Sequence, residues 1–360
     1  PPPPSPPPPP PPSSPPPPSP SPLPPPSPHP PPSPPPPPNP PPPPPNRCLA
    51  LVGPMANFDT CPDLRSADLR GANLYRATLN NVDLSGAKLD GADLRYATLQ
   101  GADCRSADFH KASLFKADFS RADLSSANLS STDASEALFT EAVLWRTDFT
   151  RANLKLSSLR VIRQGGEVTF DYADISGTQL TDCTFVRSTF RHTDLSNSAI
   201  EDLRLAGSRF DYTNFAGIKV IDTGMEKVSA PGANFNRCDL DQIRFTGSAL
   251  QNATFVGAKL MEASFAEADV RGVDFTSARL NLATFRRAKM AGAQFNRAEL
   301  TDATLDMASV QDASFVEVRG LGKASFFGVT GKACCDARGV SLHAGVCHKD
   351  VWQKVRSCSL

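Results

Sequence analysis

The chain has 360 residues, with 37 basic and 37 acidic side chains and a formal net charge of zero. That balance removes the electrostatic case for a nucleic-acid or anionic-membrane partner. Its longest apolar run, Cys48 to Gly53, is far short of the ~20 residues that cross a bilayer.

Residues 1–46 hold 35 of the 38 prolines, with serine as the main companion. Proline fixes φ and removes the backbone donor, so this segment is expected to be a polyproline II tract without a core. Its Ser-Pro-Pro-Pro-Pro runs (Ser5 to Pro9, Ser14 to Pro18, Ser33 to Pro37) resemble the hydroxyproline-rich, extensin-like glycoproteins of plant and green-algal walls. The resemblance implies hydroxylation and glycosylation in the secretory pathway. A ligand for SH3-type modules is the alternative, but the usual flanking arginine is absent before Arg47. The chain begins in proline with no signal-peptide pattern, which reads as a processed or truncated start.

Residues 47–63 are assigned as an N-terminal cap. From Leu64 to Leu159 every fifth residue is apolar, twenty positions in all, and the companion two residues earlier is alanine at fifteen of them. Through 160–169 the period slips by one residue around Gly165-Gly166, a turn or bulge signal. It resumes over 170–315, from Phe170 to Phe315, for thirty more positions. Neither a helix nor a simple strand has a five-residue period.

ADLRG at 67–71, ANLYR at 72–76, ADLRY at 92–96 and ANLSS at 127–131 resemble the pentapeptide-repeat family, whose consensus is A(D/N)LXX. The resemblance covers about 250 residues. It implies an all-β fold, a right-handed quadrilateral β-helix with four pentapeptides per coil. The central apolar residue and its small companion then point inward and the other three point out. Phe215, Phe235, Phe255, Phe275, Phe295 and Phe315 independently mark a twenty-residue period. Coils ~4.8 Å apart give about twelve coils and a rod roughly 60 Å long. Alanine suits a narrow interior, where a larger companion would overpack the coil. Positions 178 to 228 place no alanine at the companion site, so irregular middle coils are expected, with Glu226 to Gly232 looping out.

Open solenoid ends need caps. Residues 316–360 are assigned as a C-terminal cap containing cysteines, where Val351, Trp352 and Val355 have the spacing of a short amphipathic helix. End-to-end dimerisation is left open. Cys104, Cys183 and Cys238 fall on inward positions and read as buried free thiols. Cys48, Cys61, Cys334, Cys335, Cys347 and Cys358 lie in the ends, which favours disulfides in an oxidising compartment. Cys48–Cys61 is the natural N-terminal bridge, while the other four leave three pairings open. Zinc is the rival, with His343 and His348 among the C-terminal cysteines, although no metal-ligand spacing is present.

The outward aspartates, as at Asp68, Asp93, Asp103 and Asp118, follow the repeat, so their spacing carries no acid–base signal. No phosphate loop, nucleophile elbow or metal-helix motif occurs, and His110 and His192 stand isolated on outward positions. The chain reads as non-enzymatic, with no cofactor. Some members of the family protect gyrase by resembling DNA, which over ~60 Å needs roughly 35 negative charges. A net charge of zero rejects that role.

Two outward patches stand out. Tyr75, Arg95 and Phe115 form one column and Arg76, Tyr96 and Lys116 the next. They suit a sugar, an anionic polysaccharide or a peptide, or form a purely structural ladder. Asp171, Arg191 and Asp211 lie beside Tyr172, His192 and Tyr212 and read as exposed ion pairs worth ~0.2–1 kcal/mol each, with His192 a source of pH sensitivity. Residues 319–360 carry seven bases and two acids, suited to solvent or to an acidic partner such as wall polysaccharide. The sequons Asn128-Leu129-Ser130 and Asn252-Ala253-Thr254 fit secretion but also arise from the repeat itself.

The expected protein is a wall or extracellular scaffold of a plant or green alga, binding protein or polysaccharide. The alternatives are a thylakoid-lumen protein and a regulator docking on a protein partner. Leu280→Asp places a charge in the inward column and is expected to unfold the coil cooperatively; an unchanged melting curve would refute the inward assignment.

Overall fold

The computed structural model describes residues 47–331 and 333–335. Each pentapeptide repeats one set of backbone bonds. In 67–71 the Leu69 N–H donates to the Lys88 carbonyl at 2.7 Å and the Gly71 N–H to that of Asp90 at 2.9 Å. The Lys88 N–H returns to the Ala67 carbonyl at 2.8 Å, and the Ala72 N–H closes the turn on Leu69 at 3.0 Å. The backbone is thus satisfied between successive coils rather than within an element.

Pairing is parallel and mostly joins residue i to i + 20, as in Asp63↔Asp83, Asp68↔Lys88, Asn73↔Asp93 and Thr78↔Thr98. This register sorts the pentapeptides into four columns, which we name after Leu69, Leu74, Leu79 and Leu84. Most contacts are single bridges. Longer strands β1 (Ser158–Arg160), β2 (Gln179–Thr184), β3 (Ala199–Arg204) and β4 (Lys219–Ile221) form one parallel sheet in chain order. β5 (Ala313–Phe315) pairs with β6 (Ala333–Cys335). Among the described residues there is no α-helix, only 3-10 turns at Arg47–Leu51 and Leu321–Lys323. The fold is a parallel β-helix.

The fifth residue of each pentapeptide sits in the left-handed region. Among the described residues forty non-glycine residues have positive φ, including the β-branched Val161 at 60°. Each costs about 1–2 kcal/mol relative to an ordinary conformation. The conformation persists because it aims the N–H at the next coil, as from Val161 to the Thr181 carbonyl at 2.9 Å.

Central and companion side chains fill the interior. Phe215, Phe235 and Phe255 stack face to face with centroids 4.6 and 4.7 Å apart, while rings of neighbouring columns meet edge-on, as Phe255 and Phe265 do at 5.7 Å and 89°. Both are favoured aromatic geometries. At many positions where alanine is missing, a hydroxyl or thiol donates to the central carbonyl of the coil before: Thr193 to Phe170 at 2.6 Å, Ser198 to Ile175 at 2.9 Å, Ser248 to Met225 at 2.7 Å and Cys238 to Phe215 at 3.0 Å. A buried donor with a partner carries little desolvation penalty.

The middle coils therefore stay in register, and the loop expected at 226–232 does not form. Arg209↔Ser229, Asn214↔Asn234 and Gly224↔Arg244 keep the twenty-residue step. The slip near 160 is one inserted residue: Leu138↔Ser158 spans twenty and Val143↔Gln164 twenty-one. Ile162 is buried there while Gly165 takes the next central position without a side chain. Pairing also runs beyond the limits of 64 and 315 read from the sequence. It begins at Asn57↔Thr78, with Phe58 fully buried, and continues through Ser309↔Thr330 to β6. Each extension contains a one-residue insertion that hides the period, the second beside the turn at Leu321–Lys323.

The proline tract lies outside the described residues, as do Cys347, Cys358, His343, His348 and the expected helix around Trp352. The backbone of Cys334 and Cys335 belongs to β6, and their pairing likewise falls outside what is described.

A Cβ on Gly165 would lie 2.5 Å from the Thr184 carbonyl oxygen and 2.9 Å from both Ile162 Cγ2 and Phe185 Cδ1. Gly165→Ala is therefore expected to lose about 1–3 kcal/mol in a denaturant titration; an unaltered midpoint would contradict this packing.

Candidate functional site

The turns of the Leu74 column bring the first patch together. Tyr96 lies edge-on between Tyr75, at 5.7 Å and 78°, and Phe115, at 5.5 Å and 88°. The ring contacts run diagonally between the two outward columns rather than along either one. The Arg76 guanidinium carbon lies 5.4 Å from the Tyr75 centroid and 5.6 Å from that of Tyr96. Arg95 lies 5.6 Å from Tyr75 while pairing with Asp93 at 2.7 Å. Lys116 sits 5.1 Å from Phe115 and 3.2 Å from Glu136. Cations therefore already cover much of the ring surface, leaving Tyr96 39% exposed. Met55, 65% exposed, extends the same column of turns.

The second patch sits on the turns of the Leu69 column. Tyr172, His192 and Tyr212 stack at 4.9 and 5.1 Å with planes 9° apart, and Arg151 covers Tyr172 at 5.6 Å. The neighbouring charges differ from an exposed ladder. Asp171 and Asp211 are buried, 4% and 8% exposed. Arg191 pairs with Asp171 at 2.5 Å and adds its backbone N–H at 2.9 Å. Asp211 instead takes Arg209 at 2.5 Å and the Ser229 hydroxyl at 3.0 Å. The donors hold each carboxylate inward, so removing one arginine costs far more than an exposed pair would. His110 contacts the Ser130 hydroxyl through Nδ1 at 2.9 Å, apart from either patch.

Cys48 and Cys61 form a disulfide with Cα atoms 5.5 Å apart. Cys104, Cys183 and Cys238 are buried free thiols. Burial pushes Cys183 and Cys238 up to about 12 and Cys104 higher still, which disfavours the thiolate needed for reactivity.

Sequence reasoning missed the hollows. Three lie along one strip, between the turns of the Leu79 column and those of the Leu84 column. One of about 340 Å³ is lined by Glu141, Val143, Val161, Arg163 and Gln164. Another of about 770 Å³ is lined by Asp202, Arg204, Asp222, Gly224 and Lys227. A third of about 210 Å³ lies by Ile221, Asp241 and Gln242. Along this strip the buried companions are Ile162, Cys183, Leu203, Thr223 and Ile243, where alanine stands at 102, 122 and 142 before it and at 263, 283 and 303 after it. The run of larger companions, with a glycine at the outward pairing position 224, was the available signal.

Models of pentapeptide repeats match residues 63–95, 87–119, 117–155 and 167–202, and a model of a pentapeptide repeat region matches 232–305, together more than half of the chain. No curated protein matches the sequence. Among solved structures the chain is similar to HetL, a pentapeptide repeat protein involved in heterocyst differentiation regulation from the cyanobacterium Nostoc sp. strain PCC 7120. That match has 25% identity, covers 68% of this chain and 89% of HetL, and has a TM-score of 0.20. It is also similar to a pentapeptide repeat protein of the Arabidopsis thaliana thylakoid lumen, at 31% identity over 31% of this chain and 67% of that one, TM-score 0.13. A third match is QnrB1, a plasmid-mediated fluoroquinolone resistance protein, at 14% identity over 50% of this chain and 91% of that one, TM-score 0.21. The fold assignment rests on the backbone pairing, not on these overlaps.

Asp63 and Asp68 are held down to about 2, first by side-chain hydrogen bonds from Arg65 and Arg70, at 2.8 and 2.6 Å. A depressed carboxylate stabilises the fold above its ordinary value of 3.8 and loses that contribution as pH falls through about 2. The melting temperature should therefore drop between pH 4 and pH 2, and less so in the Arg65→Gln/Arg70→Gln double variant; equal slopes would exclude a role for these pairs.

Proposed function

The chain belongs to the pentapeptide-repeat family, and from that premise we propose a non-enzymatic interaction scaffold that binds protein or polysaccharide. Its β-helix is right-handed and four-sided, with about twelve coils over 64–315 by the five-residue period. The Ser-Pro-Pro-Pro-Pro runs of the proline-rich tract resemble those of wall glycoproteins, which supports a site in the extracellular matrix or wall of a plant or green alga. The coil presents outward side chains at fixed spacing, and the tract sets distance from the anchoring matrix.

One observation carries the reading. In the coils between Met55 and Lys116 the aromatic outward side chains gather on the turns of a single column, as Tyr75, Tyr96 and Phe115 with their cations. The matching turns of the other columns carry Arg65 and Ser66, Arg70 and Gly71, or Asn80 and Asn81. A fold that needs only small or polar residues at these positions places exposed aromatics on one side, as binding surfaces do. Burial that pushes the free thiols well above the usual cysteine range supports a role without thiol catalysis.

The reading is tested by amino-acid analysis and intact mass of residues 1–46 from the native source. Hydroxyproline bearing pentose or hexose is the expected result. Unmodified proline would move the protein to an organelle such as the thylakoid lumen, or to the cytosol.

A further inference from the structure

The strip between the Leu79 and Leu84 turns is where the coil departs from its alanine rule, and it is also where the surface becomes concave. Ile162, Leu203 and Ile243 fill companion positions in the interior, while Gly224, bridged to Arg204 before it and Arg244 after it, leaves an outward position without a side chain. Glu226 folds over Gly224 and is held there by Arg244. Local rules broken together in one place, with no gain in packing, mark a functional surface more often than a defect.

Charge supplies the second observation. Asp202, Arg204, Asp222 and Lys227 line the hollow of about 770 Å³. None of the four makes an ion pair or a side-chain hydrogen bond among the described residues. Several opposite charges two residues apart close onto each other elsewhere on the coil, as Arg70 and Asp68 do at 2.6 Å or Arg209 and Asp211 at 2.5 Å, whereas here four unpaired charges share one hollow. Two carboxylates and two cations held apart in one hollow match a ligand with many groups that both donate and accept. A hydroxyl donates to a carboxylate and accepts from a guanidinium or ammonium. An anionic ligand would meet Asp202 and Asp222, and a cationic one Arg204 and Lys227. A neutral polyhydroxylated ligand meets neither penalty.

The shape agrees. The hollow of about 340 Å³ lies earlier on the same strip, and Trp145, in the adjoining turn, is 36% exposed with Arg146 and Arg187 each 6.0 Å from its ring centroid, a partly covered aromatic surface beside the strip. Successive coils step by ~4.8 Å along this line, a regular ladder for a polymer of similar units. We infer that the strip from Trp145 to Arg244 binds a neutral, extended oligosaccharide lying along the coils. This deepens, and rests on, the reading of the protein as a binding scaffold.

The test is titration of the full chain with a soluble neutral β-glucan hexasaccharide, followed by calorimetry, with an oligogalacturonide of equal length as the acidic comparator. Binding of the neutral probe is expected, weakened about tenfold or more in both Arg204→Ala and Asp222→Asn, and unchanged in Tyr96→Ala. Arg204→Ala and Asp222→Asn should keep the parent melting temperature, since these side chains are outward and unpaired, while Tyr96→Ala gives up its ring contacts and melts somewhat lower. Neutral-probe binding lost in Tyr96→Ala but retained in Arg204→Ala would overturn the assignment to this strip and leave the scaffold reading in place. Tighter binding of the acidic probe would overturn the neutral ligand class. Binding of neither probe overturns the inference altogether, and the scaffold reading is then judged separately by the modification state of residues 1–46.

Discussion

The structure depends on one hydrogen bond repeated around the coil, the donation from a residue in the left-handed region to the coil that follows. The bond fixes the turn, and the turn fixes where every other side chain points. Because the N–H of Gly71 reaches Asp90 and that of Val161 reaches Thr181, the coil tolerates lysine, tyrosine, glutamate and even valine in a conformation that each resists in isolation. The outward side chains then have little choice of neighbour. Tyr172 must face His192, and Arg76 must lie against Tyr96.

The same constraint governs the interior. Phenylalanines one coil apart stack because their Cα atoms are held in line, and serine or threonine can replace alanine because a carbonyl waits at fixed distance on the preceding coil. Ser208 donates to Phe185 and Thr193 to Phe170. The interior void among Leu180, Phe210 and Met225 is about 10 Å³, at the lower limit for one water. The wider companions of the middle coils leave almost no cavity inside, and the hollows of these coils lie on the outside.

Much of the fold was legible because a period of five survives any exchange of Leu for Phe or Ala for Thr. Leu64 to Leu159 and Phe170 to Phe315 announce themselves. The end coils were hidden by single inserted residues that break the period without breaking the backbone ladder, so Phe58 and the pairing of Thr330 looked like caps. No loop forms at 226–232 because a missing alanine is not a missing coil: Ser208, Thr213 and Ser248 keep the ladder regular by donating to the preceding coil. For the surface, linear spacing placed Tyr75, Tyr96 and Phe115 near each other correctly. It could not show that Asp171 and Asp211 turn inward, because burial of an outward carboxylate depends on donors from neighbouring coils. Nor could it show a concavity, which arises only from the sum of several companion volumes.

The register of twenty makes the coil unusually sensitive to some changes in length and indifferent to others. A gene that lost twenty codons from within the repeat would encode a shorter coil in which every remaining side chain kept its column and its ladder partners. Loss of five would keep centres and companions pointing inward but would stack each on a residue of another column, placing Phe215 or Leu203 against new neighbours. It would also turn the whole downstream surface by one side, parting Tyr172 from His192 or Arg204 from Gly224. Evolution can therefore lengthen such a protein in steps of twenty residues at little structural risk, whereas a step of five reshuffles its surface at the cost of repacking its core.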